Sequence, residues 1–189
     1  MRILILGPQG SGKGTQAKRI AEFYGVPHIA TGDMFRAAVA EDSALGQRVA
    51  PILEEGGLVP DDLTIEIIRE RLADEDGFVL DGFPRTMAQA EALDTMLDEI
   101  GKPLDAVLLL QVSDEVATAR LRERAVQEGR ADDSPEAIEK RLRLYHELTE
   151  LVVDRYQHAG IEVAVEGEQP VDDVFAAVQD ALEGVVARS

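Results

Sequence analysis

The chain contains no cysteine and no tryptophan. Without cysteine it can form neither a disulfide nor a thiolate metal site, and it suits a reducing compartment. Aromatic residues make up only 4% of the sequence, so the core must be built from Leu, Ile, Val and Ala. Lysine is also scarce, at four of the 19 basic residues. No apolar run approaches the length of a membrane span. A leader peptide is not expected either, because only four consecutive apolar residues separate Arg2 from Gly7-Pro8. Together these absences predict a cytoplasmic protein.

Basic residues are outnumbered by 37 acidic ones, and the formal net charge is −18. A surface this acidic disfavours nucleic acids and anionic membranes, so neither is expected as a partner. Few lysines among many carboxylates fit adaptation to high salt, and equally a GC-rich genome. If such a chain binds a polyanion, it needs a local cluster of positive charge, and its arginines should be found there.

What is present describes a folded enzyme-sized domain. The 189 residues are 45% hydrophobic and 30% charged, enough to bury one core with small inserts. Short apolar runs, at Arg2–Leu6, Pro27–Ala30, Gly77–Asp81, Ala106–Val112 and Ile161–Val165, alternate with helical spacing. Leu63, Ile67, Ile68 and Leu72 show that spacing, as do Leu142, Tyr145, Leu148, Val152 and Tyr156. The pattern predicts an α/β fold, with a five-stranded parallel sheet and helices on both faces. A long helix is expected over Pro135–Ala159. Two inserts are expected on the rim of a cleft, about Ala30–Val59 and Ala125–Ser134, with Gly56-Gly57 and Gly129 as flexible points.

The most informative stretch follows the first strand. Gly7, four further residues, and then Gly12-Lys13-Gly14-Thr15 open a helical pattern. A strand, a glycine-rich loop and a helix start together form a phosphate cradle, or P-loop. Glycines 7, 10, 12 and 14 let phosphate approach the backbone, and Lys13 can reach the outer phosphates of a nucleotide. A P-loop usually has Ser or Thr directly after its lysine. Here Gly14 intervenes, which argues against a hydroxyl bound directly to metal.

Two other stretches carry candidate chemistry. In Thr31-Gly32-Asp33-Met34-Phe35-Arg36, the acid and the arginine share one helical face. Read alone, Thr31 or Asp33 is an N-cap and Arg36 is solvated. Beside a P-loop, Arg36 becomes a candidate ligand for a second phosphate. In Asp81-Gly82-Phe83-Pro84-Arg85, a carboxylate ends a buried strand, where an unpaired charge is costly. Hydrated Mg²⁺ in a nucleotide site can be its partner. Arg85 then projects from a tight turn, and Gln89 lies one helical turn on, where its amide could read a base edge. The plainer alternative is a strand-to-helix turn with an incidental arginine.

Gly-x-x-Gly-x-Gly-Lys-Gly-Thr, Thr-Gly-Asp-x-x-Arg and Asp-Gly-Phe-Pro-Arg-x-x-x-Gln occur in this order and at this spacing. The chain resembles the adenylate kinases from Met1 to about Val186. The resemblance implies that Gly10, Ser11, Gly12, Lys13, Gly14 and Thr15 hold ATP. It also implies that Thr31, Arg36, Gly82, Phe83, Pro84, Arg85 and Gln89, with the backbone of Gly57, Leu58 and Val59, hold AMP. Pyrimidine-nucleotide kinases of similar fold tend to carry Ala where this chain has Thr31, so Thr favours AMP.

In the second half, Arg120 and Arg124 lie four apart on one helix, Arg130 sits in Gly129-Arg130-Ala131-Asp132-Asp133, and Arg141 follows. Exposed arginines on acidic helices are the plainer reading, and it is the one adopted for Arg122 and Arg143. The resemblance implies that Arg120, Arg124, Arg130 and Arg141 converge with Lys13 and Arg85 on the transferring phosphates, Arg120 and Arg124 from the ATP side, Arg130 and Arg141 from the AMP side. That would bring seven of the 19 basic residues, Arg36 included, to one cleft. Only five residues separate Arg124 from Arg130, so the long inserted lid of some relatives is absent, and with it their zinc-binding cysteines. Gln169, in Glu166-Gly167-Glu168-Gln169-Pro170, matches a loop beside the ATP adenine. Asp81 and Asp33 are expected to hold Mg²⁺ through water. The implied reaction is ATP + AMP ⇌ 2 ADP, and nothing in the sequence demands more than a monomer. The rivals are a kinase for a pyrimidine nucleotide or an alcohol, and a sensor that binds nucleotide without turnover.

Overall fold

The computed structural model describes residues 1–186. Five strands form one parallel sheet, β1 (Arg2–Leu6), β2 (His28–Ala30), β3 (Phe78–Asp81), β4 (Ala106–Gln111) and β5 (Glu162–Glu166), in the order β2-β3-β1-β4-β5. Each coincides with a predicted apolar run to within a residue or two at either end.

Alternation along the strands sorts the core into two layers. Leu4, Leu6, Leu80, Val107 and Leu109 face helices α4 (Asp61–Leu72), α5 (Met87–Glu99) and α8 (Glu150–His158). Ile3, Ile5, Val79, Leu108 and Leu110 face α1 (Lys13–Tyr24) and α9 (Val171–Val186). Both faces are covered, which is why the central strands read as continuous apolar runs rather than alternating ones. Fully burying one such side chain is worth about 1.5–3 kcal/mol.

Beyond β2 the chain forms α2 (Thr31–Ala40) and α3 (Ala44–Glu54), which pack Phe35, Val49 and Val59 into a small core of their own. This pair lies in the first expected insert. After β4, α6 (Asp114–Glu128) runs four residues into the second, so its non-helical part is short, spanning 129–134 with one 3₁₀ turn. The glycines expected to be flexible points end helices. Gly129 caps α6 at φ 62°. Gly56 has φ 69°, and a Cβ there would stand 2.5 Å from the Ala137 carbonyl oxygen, so close approach of two backbones requires glycine.

The predicted helix over Pro135–Ala159 is not regular. It comprises α7 (Pro135–Leu144), a π-turn at Tyr145–Thr149, and α8. The wider turn places Tyr145 and Thr149 in the interior, and the Thr149 hydroxyl donates to the Arg85 carbonyl at 3.0 Å. Periodic spacing alone does not reveal such a turn.

Among the described residues no helix is long and apolar enough to cross a membrane.

Candidate active site

Parallel sheets collect ligands at the carboxyl ends of their strands, and here those ends open into a cleft of about 640 Å³. Gly7–Gly12 leaves β1 and leads into α1. Gly10 has φ 87°, and a Cβ there would lie 2.4 Å from the Ala117 carbonyl oxygen. Only glycine lets the loop rest on the backbone of α6, the helix that carries Arg120 and Arg124.

Lys13 is curled over its own loop, donating to the carbonyls of Gly7 and Pro8, both at 2.7 Å. Burial lowers its pKa to about 8; nearby Asp81 opposes that shift, while Arg85 and Arg124 add to it. Asp81 ends β3 directly beneath the first turn of α1, such that a Cβ on Gly14 would stand 3.6 Å from Oδ2. Burial disfavours its charge, but the His28 ring at 3.6 Å and the Lys13 ammonium outweigh that, and its pKa falls below the ordinary value.

The opposite wall of the cleft is built from the end of β2 and the turn after β3. Thr31 is not a cap: α2 begins after Ala30 without a side-chain cap, and the Thr31 hydroxyl donates to the Asp81 carbonyl at 3.4 Å. Nor is Arg36 simply solvated, since it pairs with Asp33 and lies 4.0 Å from Asp132 across the cleft. The Phe83–Pro84 peptide is cis. Arg85 folds back through Nε to the Gly82 carbonyl at 2.8 Å, and a Cβ on Gly82 would meet Thr31 Oγ1 at 2.7 Å. A small recess opens here, lined by Thr31, Gly57, Leu58, Val59, Arg85 and Gln89 among others.

Lys13, Arg36, Arg85, Arg120, Arg124, Arg130 and Arg141 all line the main cleft. Arg122 and Arg143 are exposed. Arg120 braces the wall beside the glycine loop, with Nη1 donating to the carbonyls of Gly167 at 2.9 Å and Ser11 at 3.4 Å. Gln169 lines the same wall. Glu168 anchors its loop by accepting from the Ser113 backbone N–H at 2.8 Å and hydroxyl at 2.7 Å.

Sequence reasoning missed the two acids that organise the arginines. Asp133, with no exposed side-chain surface, accepts from Arg124 at 2.8 and 2.9 Å and pairs with Arg141. Asp132 accepts from Arg130 at 3.1 and 3.2 Å and from Arg141 at 2.7 Å. Burial disfavours the Asp132 charge, but these guanidinium hydrogen bonds hold its pKa well below the usual carboxylate range. Clustered arginines need counter-ions, but Asp132-Asp133 stands among many acids and nothing local in the sequence marks it out.

The donor set also bears on metal. Among the described residues no group of three His, Asp or Glu could enclose an ion. Mg²⁺ commonly keeps most of its water and is held by one or two carboxylates plus substrate phosphates. Asp81 and Asp33, both on the cleft wall, fit that outer-sphere arrangement.

The chain matches the adenylate kinase family over residues 5–161. It is 49% identical to an adenylate kinase of a Cyanothece species, covering 97% of each chain. It is 46% identical to one from Stenotrophomonas maltophilia, covering 97% of this chain and 100% of that one. A third, from Xanthomonas euvesicatoria, is 45% identical over 96% of this chain and 99% of the relative. With motifs, sheet order and full-length similarity in agreement, the chain belongs to the adenylate kinase family.

Proposed function

We propose that this chain catalyses reversible phosphoryl transfer from Mg-ATP to AMP, giving two ADP, and so balances the adenine nucleotide pool. The observation that carries this reading is the cleft, where a chain of net charge −18 gathers Lys13 and six arginines beside a glycine loop. Such a concentration of cations in an acidic protein suits two nucleotides meeting phosphate to phosphate.

ATP lies along Gly10, Ser11, Gly12, Lys13, Gly14 and Thr15, with Arg120 and Arg124 on its phosphates and its adenine toward Gln169. AMP lies against Thr31, Arg36, the backbone of Gly57, Leu58 and Val59, the turn Gly82-Phe83-Pro84-Arg85, and Gln89. Arg130 and Arg141 approach from above. An oxygen of the AMP phosphate attacks the γ-phosphorus of ATP, and the bond to the bridging β,γ-oxygen breaks, leaving ADP on each side. The attacking oxygen is already anionic near neutral pH, so no general base is needed. The protein's work is to align the partners and stabilise the moving charge. Lys13 and the arginines do this as preorganised donors in a partly dehydrated cleft, the planar guanidinium forks matching phosphate oxygens. Magnesium, held through water by Asp81 and Asp33, neutralises charge on the ATP phosphates when it is bound.

Residues 30–59 form the acceptor-binding flap and 125–134 the short lid, and their approach excludes water. The reading places the protein in the cytoplasm as a monomer with small-molecule partners only. Purified protein supplied with Mg-ATP and, separately, AMP, CMP, UMP or dTMP tests it. Rapid ADP formation with AMP alone is expected. Preference for a pyrimidine overturns the base assignment, and no turnover with any acceptor overturns the activity.

A further inference from the structure

Gln89 is 2% exposed and forms part of the wall of the recess beside Thr31 and Val59. Two neighbours fix its amide. The Arg85 backbone N–H donates to Oε1 at 2.8 Å. Nε2 donates to Asp61 Oδ1 at 2.7 Å. Asp61 is the first residue of α4 and does not line the recess, so it stands behind the amide.

These partners are one-directional. A backbone N–H can only donate, and a carboxylate can only accept. Turning the amide over would set Oε1 against the Asp61 carboxylate and Nε2 against the Arg85 N–H. Both contacts would be repulsive in a buried position where unmade hydrogen bonds are costly. The amide therefore has one orientation. After both bonds are made it retains one N–H on Nε2 and one lone pair on Oε1.

We infer that Asp61 is a specificity-determining residue: by locking the Gln89 amide it selects a 6-amino purine and rejects a 6-oxo purine at the acceptor site. The inference rests on the proposed AMP pocket. A 6-amino purine offers an N–H at position 6 beside an acceptor at N1, which complements the lone pair and N–H that remain. A 6-oxo purine offers an acceptor at position 6 and an N–H at N1, the reverse of that pattern. To bind it, Gln89 must turn over against Asp61 and Arg85. Asp61 acts through Gln89 and does not touch the nucleotide, so it is a positioning residue.

Asp61→Asn keeps the shape but lets the side chain present either an oxygen or an N–H, so one of the two locks is released. The test is kcat/KM for AMP and for IMP, with Mg-ATP held constant, in the wild type, Asp61→Asn and Asp62→Asn. Asp62 is an exposed acid in the same helical turn and controls for the loss of charge at the start of α4. Wild-type preference for AMP is expected to reach about 10⁴-fold, the scale on which unpaired buried polar groups discriminate between substrates. Asp61→Asn is expected to cut that ratio at least about tenfold, raising KM for AMP and leaving KM for ATP unchanged, while Asp62→Asn keeps the wild-type ratio. An unchanged ratio in folded Asp61→Asn overturns the inference, as does an equal fall in Asp62→Asn. If Asp61→Asn does not fold, Asp61→Ser provides the same comparison, since its hydroxyl can also donate or accept. Failure of the wild type to phosphorylate AMP overturns the activity itself, an outcome distinct from a lost AMP-to-IMP contrast.

Discussion

Arg124 grips Asp133 through two parallel hydrogen bonds, Nε at 2.8 Å from Oδ2 and Nη2 at 2.9 Å from Oδ1. The same carboxylate pairs with Arg141 and lies 3.8 Å from Arg130. One buried anion thus holds three cations around the proposed transfer site, in forks that phosphate oxygens also fit. Asp133→Asn should take from Arg124 its buried carboxylate partner and leave Arg141 to Asp132 alone. Breaking a buried pair from one side typically costs about 3–5 kcal/mol. A loss of that size is expected in urea unfolding, and a variant as stable as the wild type would refute the bracing role.

Arg85→Ala and Arg124→Ala each remove a charge from the cleft. Each is expected to lower turnover at least about 10²-fold, the scale of a lost preorganised donor. Purified variants with near-normal kcat would exclude both residues from transition-state stabilisation.

Lys13 leads to a pH prediction. Its pKa in the folded protein is lowered to about 8 by burial, from an ordinary value of 10.5. Below about pH 8 the lysine is protonated in both folded and unfolded chains, so its contribution to stability does not vary. Between about 8 and 10.5 the unfolded chain binds the extra proton, and this group makes stability rise with pH. Nucleotide phosphates favour the charged ammonium, so binding at pH 8.5 should draw a proton from solution. Titration calorimetry of a non-hydrolysable ATP analogue in two buffers of different ionisation enthalpy measures that uptake. Identical heats in both buffers would exclude the linkage.

The resting site also explains which parts could be read from sequence. Strands and P-loop were legible because their signals are local: a run of apolar residues, glycines at fixed offsets, and a lysine at a helix start. The arginines were legible as a set only through the resemblance to the adenylate kinases; the acidic balance called for a cationic cluster without saying which residues form it. The partners of those arginines were not. Asp132 and Asp133 differ from dozens of solvent-facing acids only in being enclosed, and enclosure depends on how α6 and α7 meet. The Asp61–Gln89 bond joins residues 28 positions apart through the packing of α4 on α5. The π-turn at Tyr145–Thr149 was hidden because periodic spacing describes a face, not a local change of pitch.

That turn carries the last prediction. Thr149 donates its hydroxyl to the Arg85 carbonyl at 3.0 Å, while Arg85 holds Gly82 through its side chain and Gln89 through its backbone N–H. A single threonine on the far helix thus steadies the turn on which the proposed AMP site is built. Thr149→Val preserves shape and burial but leaves the Arg85 carbonyl without that donor, a defect worth about 1–3 kcal/mol. The expected result is modest loss of stability together with a several-fold higher KM for AMP, at an unchanged KM for ATP. Thr149→Ser keeps the hydroxyl and should restore AMP binding even if some packing is lost. Equal changes in both KM values would show that the valine variant loosens the whole domain rather than the acceptor turn.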